Sequence, residues 1–213
     1  TKDGGYVKAN WSILKTKENL TSVCKQYDVS AVFFDGRGGP PARGGGKTHR
    51  FYAAQTKEIA NNEIQLTIQG QTITSTYGTR DQFVYNCEQL LTAGLSNNIF
   101  GKENTISIAH RALMETLSER SFTKYDALKQ HPKFMPYLEN RSTLKYYTKA
   151  NIGSRPGKRG QKAKLELSDL RAISFVGSWS QLKQNVPGYF GIGSAIASLE
   201  AEGKLGELQE MFK

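Results

Sequence analysis

The residues best suited to chemistry lie in one short stretch. Between Gly36 and Gly46, six of eleven positions are glycine, and Arg37 and Arg43 are interleaved with them. Backbone N–H groups without side-chain cover and planar guanidinium forks can converge on a single anion, so the stretch suits phosphate or carboxylate. Gly46-Lys47-Thr48 imitates the end of the nucleotide P-loop, G-x-x-x-x-G-K-[ST]. The spacing rejects that reading, because the motif's first glycine would fall at Pro41, which has no N–H to offer. Arg37-Gly38-Gly39 and Arg43-Gly44-Gly45 also match RNA-binding Arg-Gly-Gly segments, although those normally occur as long arrays. A non-catalytic anion- or RNA-binding domain is therefore the alternative function. A connector whose arginines only keep it soluble is the plainest reading.

Other reactive groups are sparse. His49, His110 and His131 form no ligand-spaced cluster, and no G-x-S-x-G nucleophile elbow occurs. Cys24 and Cys87 make neither a C-x-x-C pair nor a disulfide framework, which fits a reducing cytoplasm. Twenty-nine Lys and Arg against 19 Asp and Glu give a net charge of +10, so an anionic partner is expected. From Arg141 to Lys164 there are eight basic residues and no acid, which marks a basic loop at 153–165. The longest apolar run, Ala31 to Phe34, is far short of the roughly 20 residues a membrane span requires, and no secretory signal pattern is present.

These residues need elements to hold them. Ile13, Leu14, Leu20, Val23, Cys24 and Tyr27 recur at spacings of three and four, which predicts an amphipathic helix from about Tyr6 to Tyr27. Ser30 to Phe34 reads as a buried strand running into the glycine-rich loop, 35–47, whose glycines and lack of apolar anchors predict mobility. Ile64–Gln69 and Gln71–Thr74 alternate as strands with a turn or bulge at Gly70. Arg80 to Tyr147 is mostly helical, Leu170 to Val176 has strand length, and Pro187-Gly188 breaks the following helix. Ala195 to Phe212 reads as a last helix, dented by Gly203 and Gly206. Strands alternating with helices give a helix-rich α/β class, in which active loops follow the C-terminal ends of strands. The absence of an initial methionine and the helical stop at Met211-Phe212-Lys213 suggest an excised piece.

The string Phe34-Asp35-Gly36-Arg37-Gly38-Gly39-Pro40-Pro41-Ala42-Arg43-Gly44-Gly45-Gly46 closely resembles the mobile loop F-H-G-R-G-G-x-x-G-R-G-G of phosphoenolpyruvate carboxylases. Further matches follow in the same order. Gly153-Ser154-Arg155-Pro156-Gly157-Lys158-Arg159 resembles the family's G-S-R-P-A-K-R, and Leu170-Arg171-Ala172-Ile173 resembles its S-L-R-A-I-P-W strand. Trp179-Ser180-Gln181 and Gly191-Ile192-Gly193 are similar to its W-T-Q and L-G-x-G, and Lys2-Asp3-Gly4-Gly5 to the end of its Y-S-D-S-x-K-D-A-G.

This resemblance implies that residues 1–213 are a single partial catalytic domain, a middle-to-C-terminal piece of a longer enzyme. The implied fold is part of a TIM-like phosphoenolpyruvate/pyruvate barrel with surrounding helices. The implied reaction joins bicarbonate to phosphoenolpyruvate to give oxaloacetate and phosphate by way of carboxyphosphate and an enolate, with Mg²⁺ or Mn²⁺. The family's T-x-H-P-T histidine and its metal carboxylates are not in this sequence, so the piece alone should be inactive and should hold no metal by its own residues.

Carried over by position, Arg37 and Arg171 hold phosphoenolpyruvate or its phosphate, with Gly38 and Gly39 beside Arg37. Arg43 serves bicarbonate or carboxyphosphate and also binds the feedback inhibitor aspartate. Arg155 binds an anion, and Lys2 is linked to bicarbonate although fraying is expected so near the terminus. Arg37, Arg43, Arg171 and Lys2 make up the implied catalytic set. A cytoplasmic homotetramer with no nucleic-acid or membrane partner completes the picture. Asp35 departs from the family's histidine. A carboxylate there needs a cation, and Arg37 and Arg43 are its closest candidates in sequence, unless it merely caps a turn.

Overall fold

Spacing, capping and hydrogen bonding build the described residues mainly into helices, with two small sheets among them. The computed structural model describes residues 2–38, 47–59, 63–68, 71–99, 105–147, 149, 151–152, 155–156, 165–184 and 186–212. These fall into two compact units, Ile13–Ile106 and Thr1–Ser12 with Ser107–Lys213, and the division lies within the first helix.

That helix, α1, runs Gly5–Gln26, close to the predicted span. Its buried face is not the predicted one. Ile13, Leu20, Val23 and Tyr27 are exposed, whereas Trp11, Lys17 and Thr21 are buried. The reason is that Lys17 finds an internal charge partner, described below, so a polar side chain fills the inward position.

Within Ile13–Ile106, β1 (Phe33–Gly38) pairs in parallel with β2 (Ile64–Ile68), and α2 (Thr48–Ala53) lies between them in the chain. The predicted strand at 30–34 thus starts three residues late and extends into the glycine-rich stretch. Alternation puts Phe33 and Asp35 on one face of β1 and leaves Phe34 on the other, 70% exposed. The pairing runs Phe33–Ile64, Phe34–Gln65 and Asp35–Leu66, then shifts register before Gly38–Ile68.

The second predicted strand of this region is a helix instead: α3 spans Gln71–Tyr77 and packs on α4 (Arg80–Ile99). Thr72, Thr76 and Tyr77 are its half-buried residues, a helical spacing that β-branched alternation at 72–74 had disguised. Gly70 lies outside the described residues.

In the other unit, α5 (Ile108–Gln130) starts at Ser107, whose side chain accepts the His110 N–H at 3.1 Å. Two apolar clusters hold the unit. Leu113 and Leu117 of α5 meet Ala195 and Leu199 of α10 (Ile192–Ala201) and Leu208 of α11 (Leu205–Met211). Phe134 and Leu138 of α6 (Phe134–Arg141) meet Leu144 of α7 (Leu144–Tyr147), Leu170, and Phe175 and Trp179 of α8 (Ala172–Gln181).

From Ala172 onward the apolar run at 170–176 is therefore helix rather than strand. Ser174, Phe175, Ser178 and Trp179 are all buried, one helical face in which Ser178 satisfies its hydroxyl by donating to the Ser174 carbonyl at 2.7 Å. A short helix, α9 (Val186–Tyr189), contains Pro187 and Gly188 in its single turn, so the break falls before them. The expected last helix divides into α10 and α11 around Gly203, whose φ of +74° ends the first. Residues Asn151–Ile152 (β3) and Arg155–Pro156 (β4) pair antiparallel. None of the described helices is long and apolar enough to cross a membrane.

Candidate functional site

In the unit Ile13–Ile106, the glycine-rich segment leaves the C-terminal end of β1 and re-enters regular structure at Lys47, just before α2. Arg37 and Gly38 are part of β1, where their backbone alone is described. Gly39 and Arg43 lie outside the described residues, as does the mobility predicted for this segment.

At its base Asp35 meets a cation from a distant part of the sequence. The cation that pairs with Asp35 is Lys17 of α1, at 2.7 Å, and the Tyr52 hydroxyl of α2 donates to the same carboxylate oxygen at 2.9 Å. The ammonium also lies 5.0 Å from the Phe33 ring and 5.3 Å from that of Phe51. Shielded by aromatic rings in this way, the pair gains cation–π attraction. Its side chains are only 9% and 13% exposed, so removing one partner alone would strand a buried charge at a cost of about 3–5 kcal/mol.

Beyond Tyr52 the unit holds an apolar cavity of about 420 Å³, walled by Ile64, Leu66 and Ile68 of β2 and by Tyr77, Phe83, Cys87 and Leu91 among others. Burial pushes the Tyr77 phenol up, with Cys87 adding to the shift. Cys24 and Cys87 are free thiols.

In the other unit, Arg171 occupies the N-cap position of α8, with φ −77° and ψ 152°. Its carbonyl accepts the first helical bond, from Phe175 N–H at 3.1 Å. Its Nε is buried and has no hydrogen-bond partner among the described residues. A buried donor in that state costs about 1–3 kcal/mol until it meets an acceptor, and a charged donor costs more.

Lys2 is brought close to this element. Its ammonium reaches the Leu167 carbonyl at 3.4 Å, in the 3-10 turn Leu167–Asp169 that leads to Arg171, and pairs with Asp3 at 3.0 Å. The Tyr125 hydroxyl donates to the Lys2 carbonyl at 2.8 Å and Lys129 to the Asp3 carbonyl at 2.6 Å, which pins the terminus to α5. Arg155 is placed in β4 for its backbone only, and most of the basic loop, Lys158 and Arg159 included, lies outside the described residues.

Sequence reasoning missed Lys17, Tyr52 and Tyr125. Their functional contacts reach across 17 to 123 positions of chain, and no local spacing announces them.

The family model for phosphoenolpyruvate carboxylase matches residues 1–213. The chain belongs to the phosphoenolpyruvate carboxylase family. A phosphoenolpyruvate carboxylase of Corynebacterium efficiens is 36% identical over 220 residues, which covers 99% of this chain and 23% of that protein. The chain thus spans about a quarter of the length of the curated carboxylase that it matches. Among the described residues no three His, Cys, Asp or Glu side chains converge on one point.

Proposed function

We propose that these residues are the anion-clamping portion of a full-length phosphoenolpyruvate carboxylase. Arg171 carries the reading: a buried guanidinium Nε without a partner among the described residues, at the start of a ten-residue helix, is poised for an anionic oxygen. In this reading Arg171 and Arg37 hold phosphoenolpyruvate through its phosphate, and Gly38 and Gly39 let the backbone approach. Arg43 serves the bicarbonate side and, with residues outside this chain, aspartate. Arg155 adds a further anion contact, and Lys2 supports bicarbonate.

A bicarbonate oxygen attacks phosphorus and the bond from phosphorus to the enol oxygen breaks, giving carboxyphosphate and the enolate of pyruvate. Carboxyphosphate divides into CO₂ and phosphate, and the enolate carbon captures CO₂ to form oxaloacetate. Every species on this path except CO₂ is anionic. Fixed guanidinium donors aimed at the developing oxyanions therefore lower the barriers, and one such donor is typically worth about 3 kcal/mol. Closing the glycine-rich segment would keep water from the enolate. The chain would then form part of a TIM-like barrel in a cytoplasmic homotetramer, with Mg²⁺ or Mn²⁺ held by residues elsewhere in the protein.

The test is an oxaloacetate assay coupled to malate dehydrogenase. The full-length protein should form oxaloacetate and phosphate in equal amounts, dependent on bicarbonate, while the purified 213 residues should form none. Phosphate release by the full-length protein without oxaloacetate, or turnover by the piece alone, would overturn the assignment.

A further inference from the structure

We propose that Tyr125 and Lys129 of α5 are positioning residues that hold Lys2 against the turn leading to Arg171. This rests on the reading that Lys2 supports bicarbonate while Arg171 holds phosphoenolpyruvate. All four residues belong to one unit. The Tyr125 hydroxyl donates to the Lys2 carbonyl at 2.8 Å, and the Lys129 ammonium donates to the next carbonyl, that of Asp3, at 2.6 Å. Four positions apart on one helix face, the two side chains thus fix two successive peptide groups. From that fixed backbone the Lys2 ammonium reaches the Leu167 carbonyl at 3.4 Å. The same carbonyl accepts the Leu170 N–H at 3.2 Å, and Arg171 is the residue that follows.

Both posts are themselves held. Tyr125 is fully buried. The Lys129 side chain is 9% exposed and pairs with Asp126 at 3.3 Å, and its ammonium lies 4.8 Å from the Tyr125 ring and 5.7 Å from that of Phe122. Burying a hydroxyl and an ammonium is a costly way to attach a segment, because apolar packing attaches one without desolvating either group. What these bonds add is direction at chosen atoms. An ammonium carries three donors. Among the described residues the Leu167 carbonyl and the Asp3 carboxylate engage two of them at most, and the Asp3 side chain is 84% exposed, so solvent weakens that pair. Lys2 can therefore turn a donor to an anion without leaving its place. With its backbone already fixed, only the side chain remains to be ordered when the anion binds. The posts should therefore show in affinity for bicarbonate rather than for both substrates alike.

The experiment uses the full-length protein and measures kcat and the KM for each substrate. Tyr125→Phe removes one donor and keeps the ring. It should raise KM for bicarbonate about fivefold, the scale of one hydrogen bond, and leave KM for phosphoenolpyruvate and kcat within about twofold. Lys129→Met removes the other donor, keeps an unbranched apolar stem, and should act in the same direction. Loss of its charge alone would weaken phosphoenolpyruvate more, because that substrate carries more negative charge than bicarbonate. Lys2→Ala serves as the reference and should lower kcat/KM for bicarbonate by about tenfold or more. If it does, while the Tyr125 and Lys129 variants change the two KM values equally or not at all, the positioning role is wrong and the reading of Lys2 stands. If Lys2→Ala leaves kcat/KM for bicarbonate within about twofold, the reading of Lys2 fails and the positioning role with it.

Discussion

Tyr125, fully buried on α5, carries a phenol whose pKa lies well above its ordinary 10.0, mainly through burial and secondarily through the nearby Asp3 charge. The folded chain therefore keeps this proton to higher pH than the unfolded chain does. The associated stability is whole below about pH 10.0 and is lost as pH climbs through the raised folded value. Tyr125→Phe, which loses the bond to the Lys2 carbonyl, should lower stability at neutral pH by about 1 kcal/mol and flatten the alkaline decline. Urea melts of parent and variant between pH 7 and 11 check this, and an equally steep alkaline limb in both would exclude Tyr125 as its source. Legibility at this scale was uneven. That Asp35 required a cation followed from its chemistry, but local sequence did not point to Lys17. This partner is 18 positions upstream and meets Asp35 through the packing of α1 against β1.

Gly191 decides how α10 meets α5. Its φ is +90°, and a Cβ there would stand 2.4 Å from the Ser121 carbonyl oxygen. Gly193, two positions on within α10, has nothing within 4 Å of such an atom. Gly191→Ala should therefore destabilise by about 2–3 kcal/mol, combining left-handed strain with a clash against backbone. Gly193→Ala should be neutral or stabilising by up to about 1 kcal/mol. Thermal melts of the two variants make the comparison, and equal shifts would refute the close approach. Elements with a long period were legible: α1 was read to within a residue of its bounds at each end. Short apolar runs were not. Four residues at 71–74 and seven at 170–176 fit either period, and only packing on α4, or around Phe175 and Trp179, selects helix. Ser174 and Ser178 hid the second case further, because small hydroxyls that bond to the backbone can occupy buried positions a hydropathy pattern leaves blank.

At the scale of the whole molecule, family membership was readable because its motifs are local strings, whereas the placement of their side chains depends on contacts between distant segments. The helix-rich α/β class was likewise legible from the alternation of apolar runs and helical stretches. Lys2 shows the limit of such reading: position in the sequence predicts fraying, yet Tyr125 and Lys129 pin it near the turn that leads to Arg171. The central claim is that arginines of this chain clamp the phosphorylated substrate. It is tested most directly by kcat/KM for phosphoenolpyruvate in the full-length protein carrying Arg171→Lys or, separately, Arg37→Lys. Lysine keeps the charge but loses the planar fork, so each variant should fall by about thirtyfold or more, roughly 2 kcal/mol in transition-state stabilisation. A fall of less than about threefold in both, under 1 kcal/mol on the same scale, would contradict the account.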